Sequence, residues 1–191
     1  MKYWKQVLLI LLAACSVRAE SFKIAAVDME RVVREYYKTK IVEGNLKRQA
    51  DIYQDYSKKV AESLDKLQRE FISLRDASQN VVLSDAARES KRLAAQDKYR
   101  ECLAKKQELE TYNREKRAQL RDDRDRERAK ILEDIRKTIE SHASLAGFSA
   151  VLDKSAISAN GFPVVPFASN AIDITDKIIK ELNTGRNNNN K

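Results

Sequence analysis

The sequence has few of the residues that interrupt helices. It contains four glycines and two prolines among 191 residues, and neither type occurs between Asn45 and Ala146. Glycine and proline are the two residues that most disfavour the interior of a helix. The same segment is rich in Lys, Arg, Glu, Gln, Ala and Leu, which are strong helix formers. More than half of the chain is therefore predicted to be long helix.

The sequence also lacks the residues from which most catalytic and metal sites are built. His142 is the single histidine, and no group of Cys and His has the spacing of a metal site. Four scattered glycines cannot form a phosphate loop, and one helical histidine does not support a Ser-His-Asp triad. We therefore predict that the protein is not an enzyme and holds no cofactor or metal. We interpret His142 as part of a helix face.

Aromatic residues make up 7% of the chain and charged residues 35%, which leaves little material for a large globular core. This composition favours a long helical hairpin or a coiled coil. The formal net charge is +8, but the two signs are interleaved, and every residue of Arg121–Arg128 is charged. We interpret this segment as a solvated face with many salt bridges, and we predict no nucleic-acid partner.

The N-terminal segment, residues 1–19, has the features of a secretory signal peptide. Lys2 and Lys5 precede the apolar segment Val7–Ala14, which is too short to span a bilayer, and Ala19 completes a small-residue cleavage site. The same segment contains Leu-Ala-Ala-Cys, ending at Cys15, which resembles a bacterial lipobox. The sequence is compatible with cleavage after Ala19 and with lipidation of Cys15, which would anchor the protein to a membrane.

Removal of the signal peptide leaves Cys102 as the single cysteine, so no intramolecular disulfide is expected. Cys102 lies in the middle of a predicted helix. A lone thiol there is either buried and inert, or it forms an intermolecular or regulatory bridge.

Short apolar segments predict strands near both ends of the chain. Phe22–Met29 reads as a buried strand, and a helix is expected to begin near residues 28–31 and to continue through Gly44. Gly147 is expected to end the long helical region, because glycine often follows the last turn of a helix. Phe148–Asp153 then reads as a second strand.

The C-terminal segments are shorter and more varied. Ala156–Phe167 contains Pro163 and Pro166, so any third strand there is an edge strand or an interrupted one. Ile174–Leu182 carries apolar residues on one face and predicts a closing helix. The polar residues 183–191 predict a disordered tail.

In the long helical region, apolar residues recur at steps of three and four over four heptads. This spacing is typical of a coiled coil, or of a helix that packs on one neighbour. One member of the stripe is polar, and the full set is Leu46, Ala50, Tyr53, Ser57, Val60, Leu64, Leu67, Phe71 and Leu74.

The segment 78–84 predicts a turn, because Ser84 is a good N-cap for a second helix. Folding the two helices back on each other gives an antiparallel hairpin in which Phe71 lies opposite Leu93. Each arm of about 50 residues would be about 75 Å long at 1.5 Å per residue.

These segments together predict a mainly helical α+β fold with two parts. Residues 20–44 and 146–182 form a small body of strands and a closing helix. Residues 45–145 form a coiled-coil arm that projects from this body.

Three segments in order resemble the OmpH/Skp family of periplasmic chaperones. Lys23–Val32 resembles the opening of that family, Gly147–Ala156 resembles the strand after its arm, and Asp173–Asn183 resembles its closing helix. Leu83-Ser84-Asp85 is similar to the start of its returning helix. The resemblance covers essentially the whole chain after the signal peptide.

This resemblance implies a homotrimer in which strands form a central body and three helical hairpins surround a cavity. Members of the family act in the periplasm as holdases that keep unfolded outer-membrane proteins soluble without ATP. The family also implies contact with lipopolysaccharide or a membrane surface, although no local motif here assigns it. The residues expected in the trimer body are Ile24, Val27, Phe148, Val151 and Leu152.

An unfolded outer-membrane strand alternates apolar and polar residues. Weak, distributed contacts suit such a client, and aromatic residues along the arm are the candidates to supply them. Alternatively, these aromatic residues only hold the two helices together, and the protein is a structural coiled-coil envelope protein or a lipoprotein tether. The candidate client-binding residues are Tyr53, Tyr56, Phe71, Tyr99 and Tyr112.

Overall fold

The computed structural model describes residues 22–184 and is mostly helical, with one small sheet. The predicted signal peptide, Cys15 and residues 185–191 lie outside the described residues. The elements in chain order are β1 (Ile24–Val27), α1 (Met29–Glu35), α2 (Tyr37–Ser78), α3 (Asp85–Ala146), β2 (Ala150–Asp153), a 3-10 turn (Asn170–Ile172) and α4 (Thr175–Thr184).

The two strands are parallel neighbours, although the whole of α1, α2 and α3 separates them in the chain. Both are shorter than the sequence predicts. β1 ends at Val27 because the carboxylate of Asp28 caps α1 by accepting a hydrogen bond from the backbone N–H of Arg31 at 2.8 Å. A single parallel bridge from Ala26 to Asp173 extends the sheet toward α4.

The helix that was expected to run from residues 28–31 through Gly44 is interrupted at Tyr36. Its backbone is extended there (φ −69°, ψ 125°), and α2 begins at the next residue. The Tyr36 side chain is buried in the core, and its hydroxyl donates to Asp134 at 3.1 Å. The bend therefore directs the Tyr36 ring into the core. The helical periodicity of the sequence does not predict this bend. Gly44 lies within α2, as expected.

We call α2 and α3 the helix pair. They are 42 and 62 residues long, or about 63 and 93 Å at 1.5 Å per residue. The turn between them ends at Ser84, whose hydroxyl accepts from the N–H of Ala87 as an N-cap. Gly147 ends α3 with φ 68°, a left-handed conformation that favours glycine.

The predicted heptad stripe of α2 faces α3. All nine of its members are buried or half-buried, and Val60 is the most buried of them. At the contacts, residue numbers fall along one helix as they rise along the other. The observed pairs are Phe71 with Tyr99, Tyr53 with Tyr112, Gln49 with Asp123, and Lys38 with Asp134.

The expected pairing of Phe71 with Leu93 is wrong. The ring centroid of Phe71 lies 5.5 Å from that of Tyr99, and Leu93 is about half exposed. The small residues Ala95 and Cys102 are buried in the seam instead. Leu93 lies two residues before Ala95, so it points to the opposite side of α3.

The core lies where β1, α1, α4 and the C-terminal part of α3 meet. Ile131 and Ile135 belong to it, so the long helical region enters the body before its last residues. The arm therefore joins the body near residue 130 of α3. The buried members are Ala25, Val27, Val32, Tyr36, Ile131, Ile135, Ile174, Ile178 and Leu182.

The tail was expected to begin at residue 183, but α4 continues through Thr184. Asn183 bridges the interruption at Tyr36. Its side-chain oxygen accepts from the N–H of Tyr37 at 2.9 Å, and its amide donates to the carbonyl of Glu35 at 3.1 Å. These bonds satisfy backbone groups that the break leaves unpaired, which explains why this asparagine is ordered.

Candidate client-binding surface

The α3 side of the seam is unusually polar. A row of its buried or half-buried positions follows a heptad spacing in which three lysines lie among small and apolar residues. Lysine can bury its aliphatic stem while its ammonium group reaches water, so these positions still pack. The seam residues are Ala95, Lys98, Cys102, Lys105, Leu109, Tyr112, Lys116 and Leu120. Apolar periodicity does not reveal this stripe, because lysine counts as a polar residue although its aliphatic stem packs in the seam.

Three of the five predicted client-binding residues form one cluster midway along the helix pair. The ring centroid of Tyr112 lies 4.5 Å from that of Tyr56 and 6.3 Å from that of Tyr53. The ammonium group of Lys116 lies over the Tyr53 ring, 4.9 Å from its centroid. Tyr56 is 44% exposed, and its hydroxyl donates to Glu108 at 3.2 Å. The cluster thus holds the helices together and also presents an aromatic face to solvent.

The other two predicted residues form a second group closer to the turn. Phe71 is half-buried, Tyr99 is 50% exposed, and Arg75 lies over the Phe71 ring at 5.9 Å. Side chains of Arg92 and Arg100 line the same open concavity, whose volume is about 460 Å³. This concavity is therefore lined by two aromatic rings and by arginine side chains.

The sequence did not predict that a set of apolar residues would point away from the seam, and it placed Leu93 inside the seam. They lie on the outer faces of the helix pair and at its turn, where Val81 and Val82 are more than four-fifths exposed. The sequence feature that would have predicted them is a large apolar residue at a position outside the heptad stripe. Over residues 41–103 the exposed set is Ile41, Ile52, Ile72, Val81, Val82, Leu93 and Leu103.

The residues predicted for the trimer body differ in accessibility. Val27 is buried within the chain's own core, while Phe148 and Val151 are half-buried and pack against that core. Ile24 and Leu152 are exposed on the sheet. The structure describes one copy, so the strand residues that remain available to a second copy are Ile24 and Leu152.

Salt bridges are frequent along the helix pair, and most join residues three or four apart on the same helix. Arg126–Asp123 at 3.0 Å and Lys130–Glu127 at 2.6 Å are typical. Within residues 22–184, five of the eight residues of Arg121–Arg128 take part in ion pairs, as a face with many salt bridges should, and Arg121, Asp122 and Arg128 do not. Among residues 22–184, no carboxylate lies within 4.0 Å of Arg121 or Arg128.

One ion pair joins the root of α2 to α3. The ammonium of Lys38 donates to Asp134 at 2.7 Å, and Asp134 also accepts from Tyr36. The bond with Lys38 lowers the pKa of the Asp134 carboxyl, and the same bond raises the pKa of Lys38. This triad fixes the helix pair where it leaves the core.

The chain matches a known family over most of its length. The family described as outer membrane protein (OmpH-like) matches residues 23–182. The chain belongs to the OmpH-like family. The predicted resemblance is therefore confirmed, and no curated protein matches the sequence.

The OmpH-like fold is also found among solved structures. A protein from Caulobacter crescentus CB15, described as a candidate outer membrane chaperone (OmpH-like), has a similar fold with a TM-score of 0.59. The likeness covers 86% of this chain and 85% of that chain, at 16% sequence identity. Mostly helical architecture with long helices and a two-stranded sheet is thus consistent with the OmpH-like fold.

The single histidine and the single described cysteine of this OmpH-like chain both lie at contacts between helices. Nδ1 of His142 lies 2.7 Å from a carboxylate oxygen of Glu181, which joins α3 to α4 as a helix-face residue does. Cys102 is buried in the seam. Within residues 22–184, no group of three His, Cys, Asp or Glu residues is placed to hold a metal ion. No helix in this range is long and apolar enough to cross a membrane.

Proposed function

We propose that the protein is an ATP-independent periplasmic holdase that keeps unfolded outer-membrane proteins soluble. Membership in the OmpH-like family supports a chaperone role. The observation that carries the proposal is the distribution of exposed aromatic and apolar side chains along a slender helix pair more than 60 Å long. Such a surface makes many weak contacts with an extended client and imposes no single client conformation.

The geometry favours holding over a purely mechanical role. A spacer or tether, the alternative function, needs only a buried seam and a solvated exterior. Here Tyr56, Tyr99 and Leu103 are each 44–50% exposed, and Val81 and Val82 are nearly fully exposed. Exposed apolar side chains on this scale usually mark an interaction surface.

The proposal includes a homotrimer with a cavity between three antiparallel coiled-coil arms. One copy has a small core, and such bodies commonly need oligomerisation to bury enough apolar area. Apolar residues are exposed around the sheet and the 154–172 segment, where a second copy can cover them. The most exposed are Phe22, Leu152, Ile157, Phe162, Val164 and Phe167.

The division into parts belongs to the same proposal. Residues 1–19 direct export to the periplasm, with Cys15 as the alternative lipid anchor, and the body and the arm follow. Contact with lipopolysaccharide or a membrane surface is a secondary part of the proposal, because no motif in residues 22–184 assigns it to particular side chains. No nucleic-acid partner and no cofactor are proposed.

The proposal is tested by diluting a urea-unfolded outer-membrane β-barrel protein into buffer with and without the purified chain. We expect near-stoichiometric trimer to suppress light scattering without ATP. A spacer or tether would leave the scattering unchanged. An unrelated coiled coil of similar length and net charge serves as the control for nonspecific protection.

A further inference from the structure

A row of arginines runs along one exposed face of α3. Five residues follow one another at steps of three, four, three and four, so they lie on one side of the helix. All five are exposed, and the row spans about 21 Å at 1.5 Å per residue. We call this row the arginine stripe, and its members are Arg114, Arg117, Arg121, Arg124 and Arg128.

The arginine stripe is largely free of internal ion pairs. Within residues 22–184, Arg124 is its one member with a carboxylate within 4.0 Å, and that partner is the adjacent Asp125 at 3.5 Å. The neighbouring arginine outside the stripe, Arg126, is paired with Asp123. Arginines elsewhere on α3, such as Arg92 and Arg136, are also paired with carboxylates. The stripe therefore keeps guanidinium groups available on one side of the helix.

The stripe adjoins the aromatic surface described above. Arg114, Arg117 and Arg121 line one open concavity of about 440 Å³ together with Glu110 and Asn113. Toward the turn, the same side of α3 continues through the half-exposed Leu103 and Tyr99. One face of α3 thus passes from apolar and aromatic near the turn to cationic near the body.

We propose that the arginine stripe binds acidic side chains of an extended polypeptide, which refines the substrate class of the proposed holdase and rests on that function. Carboxylates are natural partners for arginine, whose planar guanidinium binds them bidentately. Side chains on one side of an extended strand repeat about every 6.6 Å, and the arginines repeat about every 5.3 Å along α3. Long arginine side chains span this difference, so one extended segment contacts several of them.

The position of the stripe favours a polypeptide over a membrane surface. Arg114 lies 30 residues, or about 45 Å, from Ser84 at the turn. A flat bilayer that contacts the end of the helix pair does not reach a row that begins so far along its flank. Arg117 of the stripe lines one concavity together with Tyr53, so an extended chain lying along the helix pair reaches the stripe and this tyrosine together.

The test compares two full-length variants that each lose four positive charges. The stripe variant carries R114Q, R117Q, R121Q and R128Q, which removes the four unpaired arginines. The control variant carries R126Q, K130Q, R136Q and K137Q, which removes four ion-paired residues on other sides of α3. Far-UV circular dichroism and thermal unfolding check that both variants fold as the parent chain does.

Binding is measured by fluorescence anisotropy with labelled peptides that alternate valine with glutamate or valine with glutamine. We expect the stripe variant to lose about tenfold or more in affinity for the glutamate peptide, the control variant less than threefold, and neither to change with the glutamine peptide. Equal losses in both variants would show a general charge effect and overturn the proposal, as would an unchanged affinity in the stripe variant.

Phosphatidylglycerol vesicles provide the competing partner. If the stripe variant lost vesicle binding and kept glutamate-peptide binding, the stripe would be a lipid site and the proposal would be wrong. The peptide measurement involves no aggregating client. A parent chain that binds the glutamate peptide through the stripe and yet fails to suppress client scattering would therefore disprove the holdase function alone.

Discussion

At Tyr36 the backbone leaves the helical conformation, and the side chain of Asn183 replaces the hydrogen bonds that a continuous helix would make. A residue near the end of the chain thus bridges α1 and α2. Sequence patterns do not show this role, because an asparagine after a helix usually indicates a cap or a polar tail. Its two bonds are visible once α4 is packed against the break.

We expect Asn183→Ala to lower the free energy of unfolding by about 1–3 kcal/mol, because it leaves partly buried backbone groups without partners. The measurement is urea unfolding followed by circular dichroism at fixed protein concentration. The neighbouring Thr184→Ala removes one exposed hydroxyl bond to the carbonyl of Lys180 and serves as the control, with an expected change below about 0.5 kcal/mol. Equal effects of the two changes would contradict the bridging role.

Asp173 provides a second test at the residue scale. Its partly buried carboxylate accepts from the Lys154 ammonium at 2.6 Å and from the backbone N–H of Thr175 at 2.9 Å. Burial raises the pKa of this carboxyl, but the hydrogen bonds from Lys154 and Thr175 outweigh it and lower the pKa to about 2. The carboxylate therefore stabilises the fold above the unfolded-state pKa near 4, and this contribution is lost as the pH falls through 2.

We expect Asp173→Asn to destabilise the protein by about 2 kcal/mol at pH 7 and by about half as much at pH 3. Urea unfolding of the parent and variant proteins across this pH range measures the difference. The change Asp176→Asn removes a mostly exposed carboxylate, paired with Arg31 at 2.8 Å, and controls for the loss of one negative charge near the same helix terminus. If the loss of unfolding free energy caused by Asp173→Asn were the same at pH 7 and pH 3, the ionised carboxylate of Asp173 would not be what stabilises the fold.

At the scale of elements, the helix pair joins a mainly apolar seam on α2 to a more polar seam on α3. Val60 is buried in this seam, whereas Ile52 on the same helix is 65% exposed. We expect Val60→Ala to cost about 1.5 kcal/mol, from about 0.8 kcal/mol for each buried methyl-sized group that is lost. Native-state hydrogen exchange should then be about tenfold faster in the middle of the helix pair, with residues 25–27 unchanged.

Ile52→Ala is the matched control for this prediction. It removes apolar atoms from the outer face of α2, so exchange in the helix pair should change less than threefold. An equal acceleration by both changes would show that burial in the seam does not determine stability there.

Much of the element order was predictable because it depends on local chemistry. The Gly- and Pro-free region, the heptad stripe of α2, the N-cap at Ser84 and the glycine at residue 147 each act within a few residues. The pairing of Phe71 was not predictable, because it depends on which face of α3 turns toward α2, and small residues, Ala95 and Cys102, occupy that face. The candidate aromatic residues were found one by one, but their grouping into two clusters follows from that same register.

The arginine stripe shows why charge counts are a poor guide to a helical surface. In sequence order, the segment from Arg114 to Arg128 mixes both signs and has little net charge. Projected on a helix, its unpaired arginines share one face, and its carboxylates lie mainly beside or behind them. The prediction of evenly interleaved charge considered sequence order alone.

At the scale of the whole molecule, the core sets where the arm begins. Ile131 and Ile135 belong to the core, so a variant that removes residues 45–145 would destroy the body. Removing residues 52–120 and joining Asp51 to Arg121 by a short glycine-serine turn keeps the contact of Gln49 with Asp123. We expect sedimentation to show that this shortened chain is still a trimer, because the exposed apolar residues of the body are intact. A monomeric shortened chain beside a trimeric full chain would place the contacts between copies in the arms.

The central claim is that clients are held along the arms. Its most direct test compares the full chain with the shortened chain at equal trimer concentration, by light scattering after dilution of a urea-unfolded outer-membrane β-barrel protein. The account predicts that the full chain suppresses scattering and that the shortened trimer, which lacks the tyrosine cluster and Tyr99, does not. Equal suppression by both chains would contradict it and would assign client binding to the body.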